Sequence, residues 1–177
     1  MIRVGFSRAR GVWAILSRFI MAMTGRPYSH VWLLLEGSDA VRGVPMVLEA
    51  SIEGYRLVPY EHFARGRDVV RVLDSPIPLG RAVDAAMARL GAAYAAMGLL
   101  GAGWVVAARR WTRKRVRQPV RSPDAMFCSE AVAVIMIEAG YPIDAETDPE
   151  AVTPGDIEDW IRAAQDGAAT GGARWGR

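Results

Sequence analysis

The chain has 177 residues, 51% of them hydrophobic and 23% charged, with a formal net charge of +3. This is ordinary globular composition, long enough for one domain with a real core. A single cysteine, Cys128, excludes an intramolecular disulfide framework, and with only His30 and His62 beside it the short-spaced ligand pairs of a structural zinc site are absent.

Residues 1–7, MIRVGFS, alternate as a short first strand. Val12, Ile15, Leu16, Phe19, Ile20 and Met23 recur at helical spacing, with Arg18 facing away, and Gly25 and Pro27 end that helix. Ser17 and Arg18 break the apolar stretch, which makes it a poor signal-peptide core, so the N-terminus reads as that of a mature cytoplasmic protein. Residues 28–36, YSHVWLLLE, read as a buried strand. The GSDAVRG turn leads to a second strand, MVLEAS, then a third, YRLVPY, and a fourth, VVRVL, at 69–73. The expected arrangement is an antiparallel meander.

A helix is predicted over 79–91, around Leu79, Val83, Ala86, Met87 and Leu90. Residues 90–108 carry no charge, and these nineteen residues are long enough for a membrane span, but their four glycines favour a buried helix or hairpin. The basic run RRWTRKRVRQPVR follows at 109–121. The segment from Cys128 to Ala139 is apolar nearly all round, as a helix through the middle of a domain would be, with Gly140 and Pro142 stopping it. TPGDIEDWI at 153–161 reads as a terminal helix with Thr153 or Asp156 near its start. The domain is expected to span 1–164, and the Gly-, Ala- and Arg-rich residues 165–177 to form a disordered tail.

Three residues stand out chemically. Cys128 opens a helix, where the backbone N–H groups and the dipole favour a thiolate, the form that attacks a carbonyl. The competing reading is a small core hydrophobe. His30 lies in an apolar strand on the face of Trp32 and Leu34, where an imidazole needs a polar partner. Glu49 lies in the next strand, in an equally apolar run, and a buried glutamate is rare unless paired. Two polar outliers on adjacent strands are explained together if the carboxylate holds the imidazole, as the third member of a catalytic triad does. His62, among the charges of YEHFARG, reads as a solvated helix face. Glu36, Glu53 and Glu61 fall at turns or exposed positions, and Glu130 as a cap or partner at the start of the cysteine helix.

SHV at 29–31, LEA at 48–50, GAAY at 91–94 and CSE at 128–130, in that order, resemble the circularly permuted NlpC-type papain-like peptidases, the YiiX-like amidase group in which His precedes Cys. The resemblance covers about 28–160. It implies an α+β fold with a central antiparallel sheet packed against the cysteine helix, with Cys128 as nucleophile, His30 as base and Glu49 as the orienting residue. Tyr94 matches a recurring tyrosine with a substrate-binding role, although the acidic residue that often follows it is Ala95 here. The implied activity is hydrolysis of a peptide or isopeptide amide, cell-wall peptides included, in a bacterial or phage context and without metal or organic cofactor. Because relatives similar to lecithin:retinol acyltransferase share this permuted fold, a lipid acyl hydrolase or acyltransferase is the enzymatic alternative. A non-catalytic binding or virion module is the other. Arg109, Arg110, Arg113, Lys114 and Arg115, flanked by Trp104 and Trp111, are candidates for contact with anionic lipid. No nucleic-acid-binding motif accompanies them.

Overall fold

The computed structural model describes residues 1–37, 43–51, 54–90, 93–94, 125–126, 128–143 and 147–169. The fold is α+β, built on a five-stranded antiparallel sheet. Its strands are β1 (Ile2–Ala9), β2 (His30–Leu35), β3 (Met46–Ser51), β4 (Gly54–Pro59) and β5 (Arg67–Asp74), ordered β4-β3-β2-β1-β5. The first four strands form the expected meander. The fifth departs from it: β5 does not extend the sheet beyond β4 but returns to pair with the far side of β1. A short helix, α2 (Tyr60–Arg65), makes that return.

Alternation along the strands sends Val4, Phe6, Val31, Leu33, Leu35, Leu48 and Ala50 into the main core. They meet α3 (Gly80–Met87), α4 (Cys128–Glu138) and α5 (Pro154–Ala169). Trp32, Leu34 and Val47 point the other way and pack with Phe63 of α2. Both faces of β2 are therefore covered, and all six of its residues are buried, which accounts for its unbroken apolar reading. A two-stranded parallel pair, β6 (Ala93–Tyr94) with β7 (Ala125–Met126), lies outside the main sheet.

Gly5 sits directly opposite Trp32 in the β1–β2 ladder, and the indole fills the space a side chain would take. A Cβ on Gly5 would lie 2.3 Å from the ring, which is itself fully buried and donates through Nε1 to Ser7 Oγ at 3.2 Å. Neither side can yield. Gly5→Ala is expected to destabilise the fold by about 1–3 kcal/mol through overpacking; a urea midpoint equal to that of the parent protein would show that the indole can move.

α5 begins with a reciprocal cap: Asp156 N–H donates to Thr153 Oγ1 (3.2 Å), and Thr153 N–H donates to Asp156 Oδ2 (2.8 Å). Ile157, Ile161 and Ala164 form its buried stripe. The helix then continues through Ala169, five residues into the stretch expected to be disordered. Alanine is the strongest helix former, and a capped, anchored helix propagates through such residues readily. A buried cluster ties α5 to the sheet. Glu158, 2% exposed, accepts from Tyr28 Oη, from Arg71 and from Arg162 Nε (2.8 Å).

The segment before β2 holds a 3₁₀ turn (Gly11–Trp13) and helix α1 (Ala14–Thr24), stopped by Gly25 in the left-handed conformation at φ 69°. Its sole buried residue is Ser17, whose Oγ lies 2.6 Å from Ser29 Oγ. The apolar spacing that predicts this helix does not mark a core face, since Val12, Ile15, Leu16 and Phe19 are all exposed. The GSDAVRG turn, except for its end residues, and the runs 95–108 and 109–121 lie outside the described residues. Among the described residues no helix is long and apolar enough to cross a membrane.

Candidate active site

His30 is the first residue of β2, so it stands at the end of the strand. β3 pairs with β2 only over Leu33–Leu35. His30 and Glu49 lie beyond the end of this ladder. His30 Nε2 and Glu49 Oε2 are 2.6 Å apart, with the imidazole 6% and the glutamate 1% exposed. The two outliers do meet.

Cys128 begins α4, and this helix is buried on nearly every side. Ser129 Oγ donates to the Val152 carbonyl at 2.6 Å, fixing the first turn against the segment that leads into α5. The His30 imidazole and the backbone N–H of Val31 are the polar groups that act on the Cys128 sulfur. With Nε2 committed to the carboxylate, Nδ1 is the nitrogen left for the sulfur. Thiol, imidazole and carboxylate form one cluster, and all three are buried.

Their charges reinforce one another. Burial by itself pushes the Cys128 thiol up, but the charge and hydrogen bond of His30, the Val31 N–H and the Arg67 guanidinium bring it below its ordinary value. Burial and Arg67 push His30 down, and the sulfur and Glu49 outweigh them, so the imidazole is held above its ordinary value. Burial pushes Glu49 up, yet His30, Arg67 and Arg56 together hold it at about 2. Both shifts act in the direction of a thiolate–imidazolium pair, and the carboxylate beside them is ionised.

Two arginines complete the site, and reading the sequence strand by strand missed both. Arg56 donates Nε (2.9 Å) and Nη2 (2.7 Å) to Glu49 Oε1 as a two-pronged fork. Arg67 Nη2 lies 3.3 Å from Glu49 Oε2 and stacks its guanidinium over Phe63, 5.1 Å from the ring centroid. Arg56 was within reach of the sequence. Counting outward from the β3–β4 turn, with Ser51 opposite Gly54, sets Glu49 opposite Arg56. Arg67 carried no such signal, because it arrives on a strand that returns to the far side of β1.

The other singled-out residues lie elsewhere. His62 is exposed on α2, as a solvated helix face would be. Glu36 pairs with Arg3 at 2.5 Å, and Glu130 is in the first turn of α4. The β6–β7 register sets Tyr94 beside Met126, two residues before Cys128, which brings its backbone to the approach of the cysteine helix. Its side chain and Arg109, Arg110, Arg113, Lys114 and Arg115 lie outside the described residues, as does Glu53. No group of metal-binding side chains occurs among the described residues.

No family model matches the chain, and a search of curated proteins finds no significant match.

Proposed function

We propose that this protein is a cysteine hydrolase of the permuted papain-like kind, cleaving an amide bond, peptide or isopeptide, through an acyl-enzyme on Cys128. One observation carries the reading: Cys128, His30 and Glu49, on three separate elements, come together in one buried cluster, with His30 Nε2 2.6 Å from Glu49 Oε2, the imidazole acting on the sulfur, and the thiol at a helix N-terminus. A structural cysteine needs no imidazole, and a structural imidazole needs no thiol. A low-lying thiol pKa sustained by a specific charge partner is the mark of a nucleophile.

In the proposed reaction the Cys128 thiolate attacks the substrate carbonyl carbon, and the backbone N–H of Cys128, at the positive end of α4, faces the developing oxyanion. His30 then gives its Nδ1 proton to the leaving amine as the C–N bond breaks, leaving the acyl group on sulfur. Neutral His30 next takes a proton from water as the oxygen attacks the thioester. The tetrahedral intermediate collapses to the thiolate and the carboxylic acid, which leaves and gives its proton to water. Glu49 stays ionised throughout and keeps the Nε2–H of His30 turned toward itself, so that Nδ1 always serves the sulfur. A thiol used in this way must stay reduced, which suits a cytoplasmic setting.

The test is alkylation of Cys128 by iodoacetamide as a function of pH, read by intact mass, in the parent protein and in His30→Ala. The parent should react with an inflection well below the unperturbed value of about 8.5. In His30→Ala burial is no longer offset by the imidazolium, and the inflection should rise by more than about one pH unit. A thiol indifferent to His30 would make Cys128 a packing residue and favour a non-catalytic binding module.

A further inference from the structure

Helix α1 turns its apolar side away from the protein. At a helical advance of about 100° per residue, Ile15, Phe19, Val12, Met23 and Leu16 fall within one sector. Ser17, bonded to Ser29, lies on the opposite side, and Arg18 on the flank. Val12 is 85%, Ile15 77% and Phe19 59% exposed, and Trp13 at the helix entrance is 50% exposed. An amphipathic helix normally buries its apolar stripe against the core; here the stripe faces outward and the polar serine holds the helix down.

The charges around this stripe are predominantly basic, with Asp68 the acidic group against Arg8 and Arg10. Residues 1–35 include Arg3, Arg8, Arg10, Arg18 and Arg26 and contain no Asp or Glu; the first acidic residue is Glu36. Arg8 and Arg10 stand at the foot of the helix, half exposed even while paired with Asp68, and Arg18 makes no ion pair among the described residues. We propose that α1 is an interfacial helix that lies in the plane of an anionic lipid surface, burying Val12, Ile15, Leu16 and Phe19 among the acyl chains while Arg18 reaches back to the headgroups. Exposed apolar side chains, a flanking aromatic and a net basic surround, with Arg18 outside any ion pair among the described residues, are what such a surface recognises.

A second copy of the chain fits less well. Two α1 helices face to face would bring Arg18 toward Arg18 with no acidic residue in either helix to answer it. Five apolar side chains are also few against the roughly 20–30 residues that each partner contributes to a stable interface. The inference is independent of the hydrolase reading and stands whatever Cys128 does.

The experiment is co-sedimentation of the full chain with vesicles of phosphatidylcholine alone and of phosphatidylcholine mixed with phosphatidylglycerol. The parent protein should bind the mixed vesicles and bind the neutral ones several-fold more weakly, with added salt reducing the difference. Ile15→Glu/Phe19→Glu should lower binding to mixed vesicles by about tenfold or more. Both positions are exposed, so the thermal melt and the Cys128 alkylation profile should stay as in the parent. An independent readout needs only mild substitution: Trp13 emission, obtained as the difference between the parent and Trp13→Phe, should shift to the blue when mixed vesicles are added. Absence of binding by the parent would overturn the proposal. So would equal binding by the double variant, which would place the lipid contact in 109–121. A parent dimer that dissociates in the double variant would identify the stripe as a self-association surface and overturn it as well.

Discussion

Glu49→Gln is expected to lower turnover by on the order of 10²–10⁴-fold while leaving a folded protein, with the loss in kcat rather than KM. The reason is a count of donors. Glu49 Oε1 accepts two N–H groups from the Arg56 fork, and Oε2 faces His30 Nε2 and Arg67. Every neighbour of this carboxylate donates, and an amide offers one oxygen and one NH₂. If the NH₂ faces His30, Nε2 must become the acceptor and the proton moves to Nδ1, where it blocks proton removal from the thiol. If the NH₂ faces Arg56, the fork is expelled toward water, which its 27% exposed side chain permits. His30 then keeps its tautomer but loses the charge that stabilises the imidazolium. Both arrangements impair proton transfer, and neither alters where substrate binds. Glu49→Ala differs from this. It leaves His30, Arg56 and Arg67 without their shared acceptor at a buried position, and breaking such a group typically costs about 3–5 kcal/mol. Turnover unchanged in Glu49→Gln would remove Glu49 from the machinery and leave it a structural anchor.

The same carboxylate sets the acid limit of the fold. Held at about 2 in the folded protein against 4.5 ordinarily, Glu49 contributes stability that is fully present above about pH 4.5 and is lost as the pH falls toward 2. The sign follows because the unfolded chain binds the proton first, so acid favours unfolding. The size of the shift corresponds to roughly 3 kcal/mol. Urea denaturation followed between pH 6 and pH 2.5 should show this decline in the parent and a shallower one in Glu49→Gln, which has no proton to take up at that position. Parallel profiles would place the acid sensitivity elsewhere.

Much of this site was legible in the sequence because its members are polar residues in apolar surroundings. His30 inside YSHVWLLLE and Glu49 inside MVLEAS each need a partner, and adjacent strands supply one. Cys128 was legible as the start of a helix apolar all round. What periodicity could not carry is direction. The spacing of Val12, Ile15, Leu16 and Phe19 specifies a helix with an apolar face, but nothing in spacing says whether that face meets the core. The return of β5 to β1 was equally silent, since a strand reads the same at either edge of a sheet. Arg67 was lost with it. At the other end, the glycines and alanines from residue 165 onward read as a tail, whereas the Thr153–Asp156 cap and the buried Ile157–Ile161–Ala164 stripe carry α5 through Ala169.

The bond between Tyr28 and Glu158 joins positions 130 residues apart, just before His30 and well after Cys128. On the ribosome, the strands bearing His30 and Glu49 emerge long before the cysteine is translated, and the segment holding α4 through Val152, with α5 holding the sheet through Glu158, emerges after it. His30 and Glu49 are thus made well before Cys128, and Cys128 before the segment that fixes its helix. The His30–Glu49–Cys128 cluster can therefore take its final form only after Glu158, the far end of this clasp, has been synthesised.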